Sequence, residues 1–263
     1  MKILQKICFV LLMIMFLSSC STTSSIVYSG NCFVEPYDVD DCRVKAEQGN
    51  PRAQYLLGVL YRDGQGVVQD YKEAVKWFRE SAEQGLAQAQ HNLGGMYATG
   101  RGVPQDFKES VKWYRLAAEQ GFAQSQHNLG GMYWIGRGVR KDYKKAIKWS
   151  RLAAEQGFAQ SQHNLGWWYA NGEGVPQDYK EAVKWYWKAA EQGVVNAQNN
   201  LGLMYWIGEG VQDYVMAHMC FNIAAVGGHK SAIKNRDSVE KKMTPSQIEK
   251  AEDLAREWMR NHQ

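Results

Sequence analysis

Ser231 and Lys234 stand in a Ser-x-x-Lys arrangement, in which a lysine activates a serine nucleophile for acyl transfer. That chemistry also uses Ser-Asp-Asn and Lys-Thr-Gly, and neither tripeptide occurs in the chain. Chance accounts for the match better than catalysis does. His91, His127 and His163 offer three imidazoles to a metal. Each takes the same place in a repeated segment, so helix packing separates neighbours by at least roughly 8–10 Å, whereas zinc ligands all lie about 2 Å from one ion. They are therefore expected to be solvated surface histidines. The chain also lacks a P-loop, Gly-x-Ser-x-Gly, His-Glu-x-x-His and Cys-x-x-Cys. No catalytic residue, metal or cofactor is assigned, and an enzyme is not expected.

The elements around these residues recur. Gly49–Gln84 returns as Gly85–Gln120, Gly121–Gln156 and Gly157–Gln192, and more loosely from Gly193, each time 36 residues on. The second and third blocks agree at 25 of 36 positions. Such a period marks a stacked array, which offers a long surface more readily than an enclosed pocket. In the second block Ala89, Leu93, Met96 and Tyr97 form one helical stripe, and Phe107, Val111, Tyr114 and Ala118 form another. Gly100 and Gly102 predict the turn between them. Asp106 with Glu109 makes a capping-box-like start to the second helix, as do Asp70 with Glu73 and Asp178 with Glu181, whereas Asp142 with Lys145 breaks the box. Each block is thus predicted to be a helical hairpin. Gly58, Gly94, Gly130, Gly166 and Gly202 recur inside the first helix, where glycine costs about 1 kcal/mol against alanine. That repeated cost predicts a close approach of the paired helices.

In the fourth block Leu165, Gly166, Tyr169, Gly172, Gly174, Val175, Asp178, Tyr179, Ala182, Trp185 and Tyr186 fall at the spacing of a known motif. The pattern resembles the Sel-1-like repeat family: Ala-x3-Leu-Gly-x2-Tyr-x2-Gly-x-Gly-Val, an Asp-aromatic pair, then Ala-x2-Trp-aromatic. Ser125 and Ser161 replace the opening alanine with another small residue. The tetratricopeptide repeat differs in its 34-residue period and its lack of the Gly-x-Gly-Val turn. The resemblance covers residues 43–263 and implies an all-α, right-handed superhelical solenoid of helix-turn-helix repeats. Members of the family are typically adaptors in signalling, envelope assembly or bacterium–host contact. Cysteine-rich relatives are associated with β-lactam binding or hydrolysis, which supplies the alternative reading of a cell-wall-active enzyme. Those relatives carry a cysteine pair in each repeat, and repeats one to five here carry none.

The N-terminus reads as targeting. Lys2 and Lys6 precede the apolar run Ile7–Leu17, which is too short for a membrane-spanning helix of about 20 residues and fits a secretory signal. Leu17-Ser18-Ser19-Cys20 resembles a bacterial lipobox, so Cys20 is the expected lipidation site and new N-terminus. Ser21 resembles the signal for sorting to the outer membrane. The expected divisions are a signal peptide (1–19), a lipidated tether (20–35) and a capping helix (36–48). Repeats follow at 49–84, 85–120, 121–156, 157–192 and 193–227, with C-terminal capping helices at 228–263. Beyond Cys8 and Cys20 three cysteines remain, and an envelope location permits disulfides. Cys32 and Cys42 are the candidate pair. Cys220 aligns with Trp77, Trp113, Trp149 and Trp185 and reads as a buried structural thiol.

Removing Lys2 and Lys6 leaves 29 basic and 27 acidic side chains, a net charge of +2 in place of +4. Nucleic acid is not an expected partner. In helical-hairpin solenoids the first helices usually line the concave side, where partners bind. The candidate contacts there are Tyr55, His91, Asn92, His127, Asn128, Trp134, His163, Asn164, Trp167, Asn200 and Trp206. The asparagine row could hydrogen-bond a peptide backbone, and the irregularly placed aromatics could anchor it. The sequence thus predicts a monomeric, membrane-anchored scaffold of the bacterial envelope that binds a protein or peptide.

Overall fold

The computed structural model describes residues 31–34, 37–208 and 211–262. The signal segment, Cys20 and most of the tether lie outside them. Helix α1 (Val39–Glu47) comes first. Five hairpins follow: α2 (Pro51–Asp63) with α3 (Tyr71–Glu83), α4 (Ala87–Thr99) with α5 (Phe107–Glu119), α6 (Ala123–Ile135) with α7 (Tyr143–Glu155), α8 (Ala159–Asn171) with α9 (Tyr179–Glu191), and α10 (Val195–Ile207) with α11 (Tyr214–Val226). Helices α12 (Lys230–Glu240) and α13 (Pro245–Asn261) close the chain. Each hairpin packs internally and against the next, so the described residues form an all-α repeat solenoid.

Local chemistry sets the helix ends. Asp70, Asp106, Asp178 and Asp213 each accept two backbone N–H groups at the head of a second helix. Asp142 accepts only that of Lys145. Gly64, Gly100, Gly136 and Gly172 end the first helices in the left-handed region, at φ of 67–80°. Gly208 has φ −71° instead, where repeat five is one residue shorter.

The recurrent mid-helix glycine is a socket for a ring. A Cβ on Gly58, Gly94, Gly166 or Gly202 would stand 2.6–2.8 Å from the ring of Phe78, Tyr114, Tyr186 or Phe221. The third hairpin differs, because Ser150 occupies the ring position. A Cβ on Gly130 would meet Ser150 Oγ and, at 3.0 Å, the carbonyl of Ala146.

A buried row of glutamines clamps the hairpins together. Gln54, Gln90, Gln126 and Gln162 donate to the carbonyls of Ala46, Ala82, Ala118 and Ala154 at 3.0–3.1 Å. The same four amides accept from Gln84, Gln120, Gln156 and Gln192 at 2.7–2.8 Å. One side chain thereby joins the preceding hairpin to both ends of its own, and each buried amide is paired. Gln198 repeats the donation to Ala190 at 3.3 Å, but Gly227 stands where its glutamine donor would be.

Both ends of the array are sealed. Cys32 and Cys42 are joined by a disulfide, buried with Ala46, Ala53, Leu57 and Leu60. Asp41 accepts the Cys32 amide at 2.8 Å and the Lys45 ammonium at 2.6 Å. At the other end Thr244 and Gln247 close a capping box on α13, which packs on α11. Cys220 is buried, and burial pushes its thiol pKa up, which makes it a packing residue. His218 replaces the aliphatic residue of the other repeats and places Nε2 2.9 Å from Glu240. Among the described residues, no helix is long and apolar enough to cross a membrane.

Candidate binding surface

The array separates its charges by layer. Helices α4, α6, α8 and α10 contain no Asp, Glu, Lys or Arg. The second helices carry the recurring pairs Lys76–Glu73, Lys112–Glu109, Lys145–Asp142 and Lys184–Glu181 at 3.0–3.6 Å. Exposed pairs of this kind contribute at most about 1 kcal/mol each. Arg52, Arg62 and Asp63 on α2 and the charged α12 bound the uncharged layer at its two ends.

The three histidines are half-buried, which corrects the expectation of solvated rings. His91 Nδ1 lies 2.9 Å from Ser125 Oγ, and His127 Nδ1 lies 2.8 Å from Ser161 Oγ, each reaching into the next repeat. Ala197 interrupts this row, and His163 Nε2 instead meets Asn200 Nδ2 at 3.2 Å. Burial lowers the pKa of all three; His91, with Arg62 adding repulsion, falls to about 4. The layer therefore stays uncharged at neutral pH. The asparagine row is also tied to the scaffold. Asn92 accepts from Arg62 at 2.8 Å and donates to the Gln88 carbonyl at 3.0 Å. Asn128 bonds the Tyr114 side chain, Asn164 bonds His163, and Asn200 reaches the Tyr186 hydroxyl at 3.5 Å.

The aromatic candidates divide into one cluster and two isolated rings. Trp134 on α6 and Trp167 on α8 come together edge to face, with ring centroids 6.2 Å apart. Trp168 stacks on Trp134 at 4.6 Å, and Tyr143 approaches Trp134 at 4.5 Å. Tyr55 packs on Phe78 at 6.1 Å, and Trp206 packs on Phe221 at 6.1 Å, in repeats one and five. A groove of about 330 Å³ opens between α6 and α8, lined by Gly131, Trp134, Ile135, Trp167 and Trp168, with His163 and Asn164 at its edge. Trp167 is 36% exposed and Ile135 is 62% exposed. Such a groove captures a ligand by covering apolar surface, at about 25 cal/mol per Å².

Trp168 was not among the sequence candidates for this surface. Trp168 takes the position of Met96 and Met132, and reads from sequence as core. Ser231 and Lys234 lie exposed on α12, away from the groove. Among the described residues, no group of three or more His, Cys, Asp or Glu side chains is placed to hold a metal ion.

A family model described as Sel1 repeat matches residues 51–86, 87–122, 123–158, 159–194 and 195–229, two residues out of phase with the blocks counted from Gly49. The structure is similar to the crystal structure of c5321, a protective antigen of uropathogenic Escherichia coli with an SLR fold. The identity is 40%, the TM-score is 0.76, and the match covers 85% of this chain and 50% of that one. The chain thus spans about half the length of that antigen. A Sel1 repeat protein from Oxalobacter formigenes is similar at 34% identity and a TM-score of 0.66, with 84% of this chain and 99% of that one covered. No curated protein matches the chain.

Proposed function

Since the chain belongs to the Sel1 repeat family, whose fold is used for protein–protein interaction, we propose that it is a lipid-anchored scaffold of the bacterial envelope that binds a protein or peptide along the concave side of its first helices. The observation that carries this reading is the uncharged layer α4, α6, α8 and α10, set against a charged outer layer. A surface kept free of ordinary charge can be covered without stripping water from an unpaired ion, which is costly. The Trp134–Trp167 groove interrupts that layer with exposed aromatic area, the composition of interface anchors. Lipidation at Cys20 and an outer-membrane location rest on the Leu17-Ser18-Ser19-Cys20 sequence. The similar Escherichia coli protein is a protective antigen, which agrees with a place open to the immune system.

Crosslinking in intact cells tests the reading. Wild type is compared with a Trp134→Ala, Trp167→Ala, Trp206→Ala triple variant that retains its helical circular dichroism. The partner is expected to be lost from the variant; a folded variant that keeps every crosslink overturns binding on this face. Cys20→Ser should abolish palmitate labelling and release the chain from the membrane fraction. Continued membrane retention without label would refute the anchor.

A further inference from the structure

Four departures from the repeat, at Ser150, Trp134, Trp167 and Trp168, coincide at one place. Tyr114 in repeat two carries its hydroxyl to 3.5 Å from where a Cβ on Gly95 would stand, so the ring closes the space beneath that helix. Ser150 replaces that ring in repeat three, and a Cβ on Gly131 would meet nothing within 4 Å. Trp134, Trp167 and Trp168 then stand where repeat two has Ala98 and repeat three has Gly131 and Met132. Space is opened below, and aromatic walls rise around it.

The volume and the charge limit what can fit. About 330 Å³ is near the floor of the roughly 300–1,000 Å³ that small-molecule clefts span, enough for one large side chain and little more. The helices forming the groove carry no ordinary charge, and His163 beside it is held neutral by burial. No side chain lining the groove can pair with an ionic ligand, and an unpaired buried charge is penalised. Resting on the scaffold reading above, we propose that the Trp134–Trp167–Trp168 groove receives one large apolar or aromatic side chain, presented by an uncharged stretch of a partner polypeptide laid across α6 and α8.

Selection of displayed random linear peptides on the purified full chain tests this. Two variants use residues that the array already carries at equivalent positions: Trp134→Ala, as at Ala98 and Ala170, and Gly131→Leu, as at Leu203. Both should keep the helical circular dichroism. The selected peptides are expected to be uncharged around a Trp, Phe or Leu anchor, and to lose about tenfold or more in affinity for either variant. Trp206→Ala, at the matching position of repeat five, separates a loss at the groove from a loss elsewhere on the same face. Enrichment of charged peptides overturns the inference. So does binding only of neutral oligosaccharides, with loss on Trp134→Ala. Uncharged peptides that ignore the groove variants but are lost on Trp206→Ala or Tyr55→Ala sink the groove while the scaffold reading stands. If every selected peptide is indifferent to all four substitutions, both fail.

Discussion

The joint between repeats two and three and the joint between repeats three and four are built from nearly the same residues, yet only the second bears the groove. Both keep the glutamine clamp, and both keep the His–Ser bond to the next repeat, at 2.9 and 2.8 Å. They differ in what lies beneath and around the first helix: Tyr114 against Ser150, Ala98 against Trp134, and Gly131 and Met132 against Trp167 and Trp168. The bonds that join repeats and the residues that shape the surface occupy different positions, so one joint can be specialised without weakening the stack. Neighbouring hairpins tolerate this because each contacts mainly the next.

Two adjacent glycines carry the largest expected difference. Gly130→Ala presses a methyl against Ser150 and the Ala146 carbonyl, and should destabilise by about 1–3 kcal/mol. Gly131→Ala points into open space and should instead stabilise by up to about 1 kcal/mol, the helix-propensity difference. Denaturant melts of the pair decide it, and equal effects of one sign would refute the packing contrast. Ser150→Tyr restores the ring found at Tyr114 and Tyr186, and should close the floor under Gly131. The melting temperature should rise by a few degrees, for a gain on the order of 1 kcal/mol, with peptide affinity lost. A fall in melting temperature would mean that Trp134 already fills that space.

The smallest expected effect is a pH dependence. His91, His127 and His163 have lowered pKa values in the folded chain, so the unfolded chain binds more protons below its ordinary value of about 6.5. Stability is full above that value and declines as pH falls toward about 4, where His91 titrates. Thermal melts should show a loss of a few degrees over that range. His91→Gln should flatten the slope, and an unchanged slope would show that the ring is not carrying it.

The repeated framework was legible because it is written several times over. The glycine sockets, the aspartate caps and the weak cap at Asp142 follow from spacing within one hairpin. The irregular tryptophans were visible as departures, and Trp134 and Trp167 do meet. What was not legible lies across hairpins. His91 was expected in water because its partner Ser125 stands 34 residues away. Gln90 is polar on an otherwise apolar stripe, and nothing local shows that its amide spans to Ala82 and Gln120. Trp168 occupies a methionine position and counts as core, though one of its faces lines the groove. Ser150 contributes by the ring it lacks, which only comparison with its counterparts reveals.

The glutamine row also makes the joints of the array unequal. Flexing a solenoid opens one joint at a time, and each of Gln54, Gln90, Gln126 and Gln162 pins its joint from both sides. Gln198 holds by one longer bond, with Gly227 where its second partner would be. The glutamine bonds therefore pin the first four hairpins from both sides and the fifth from one.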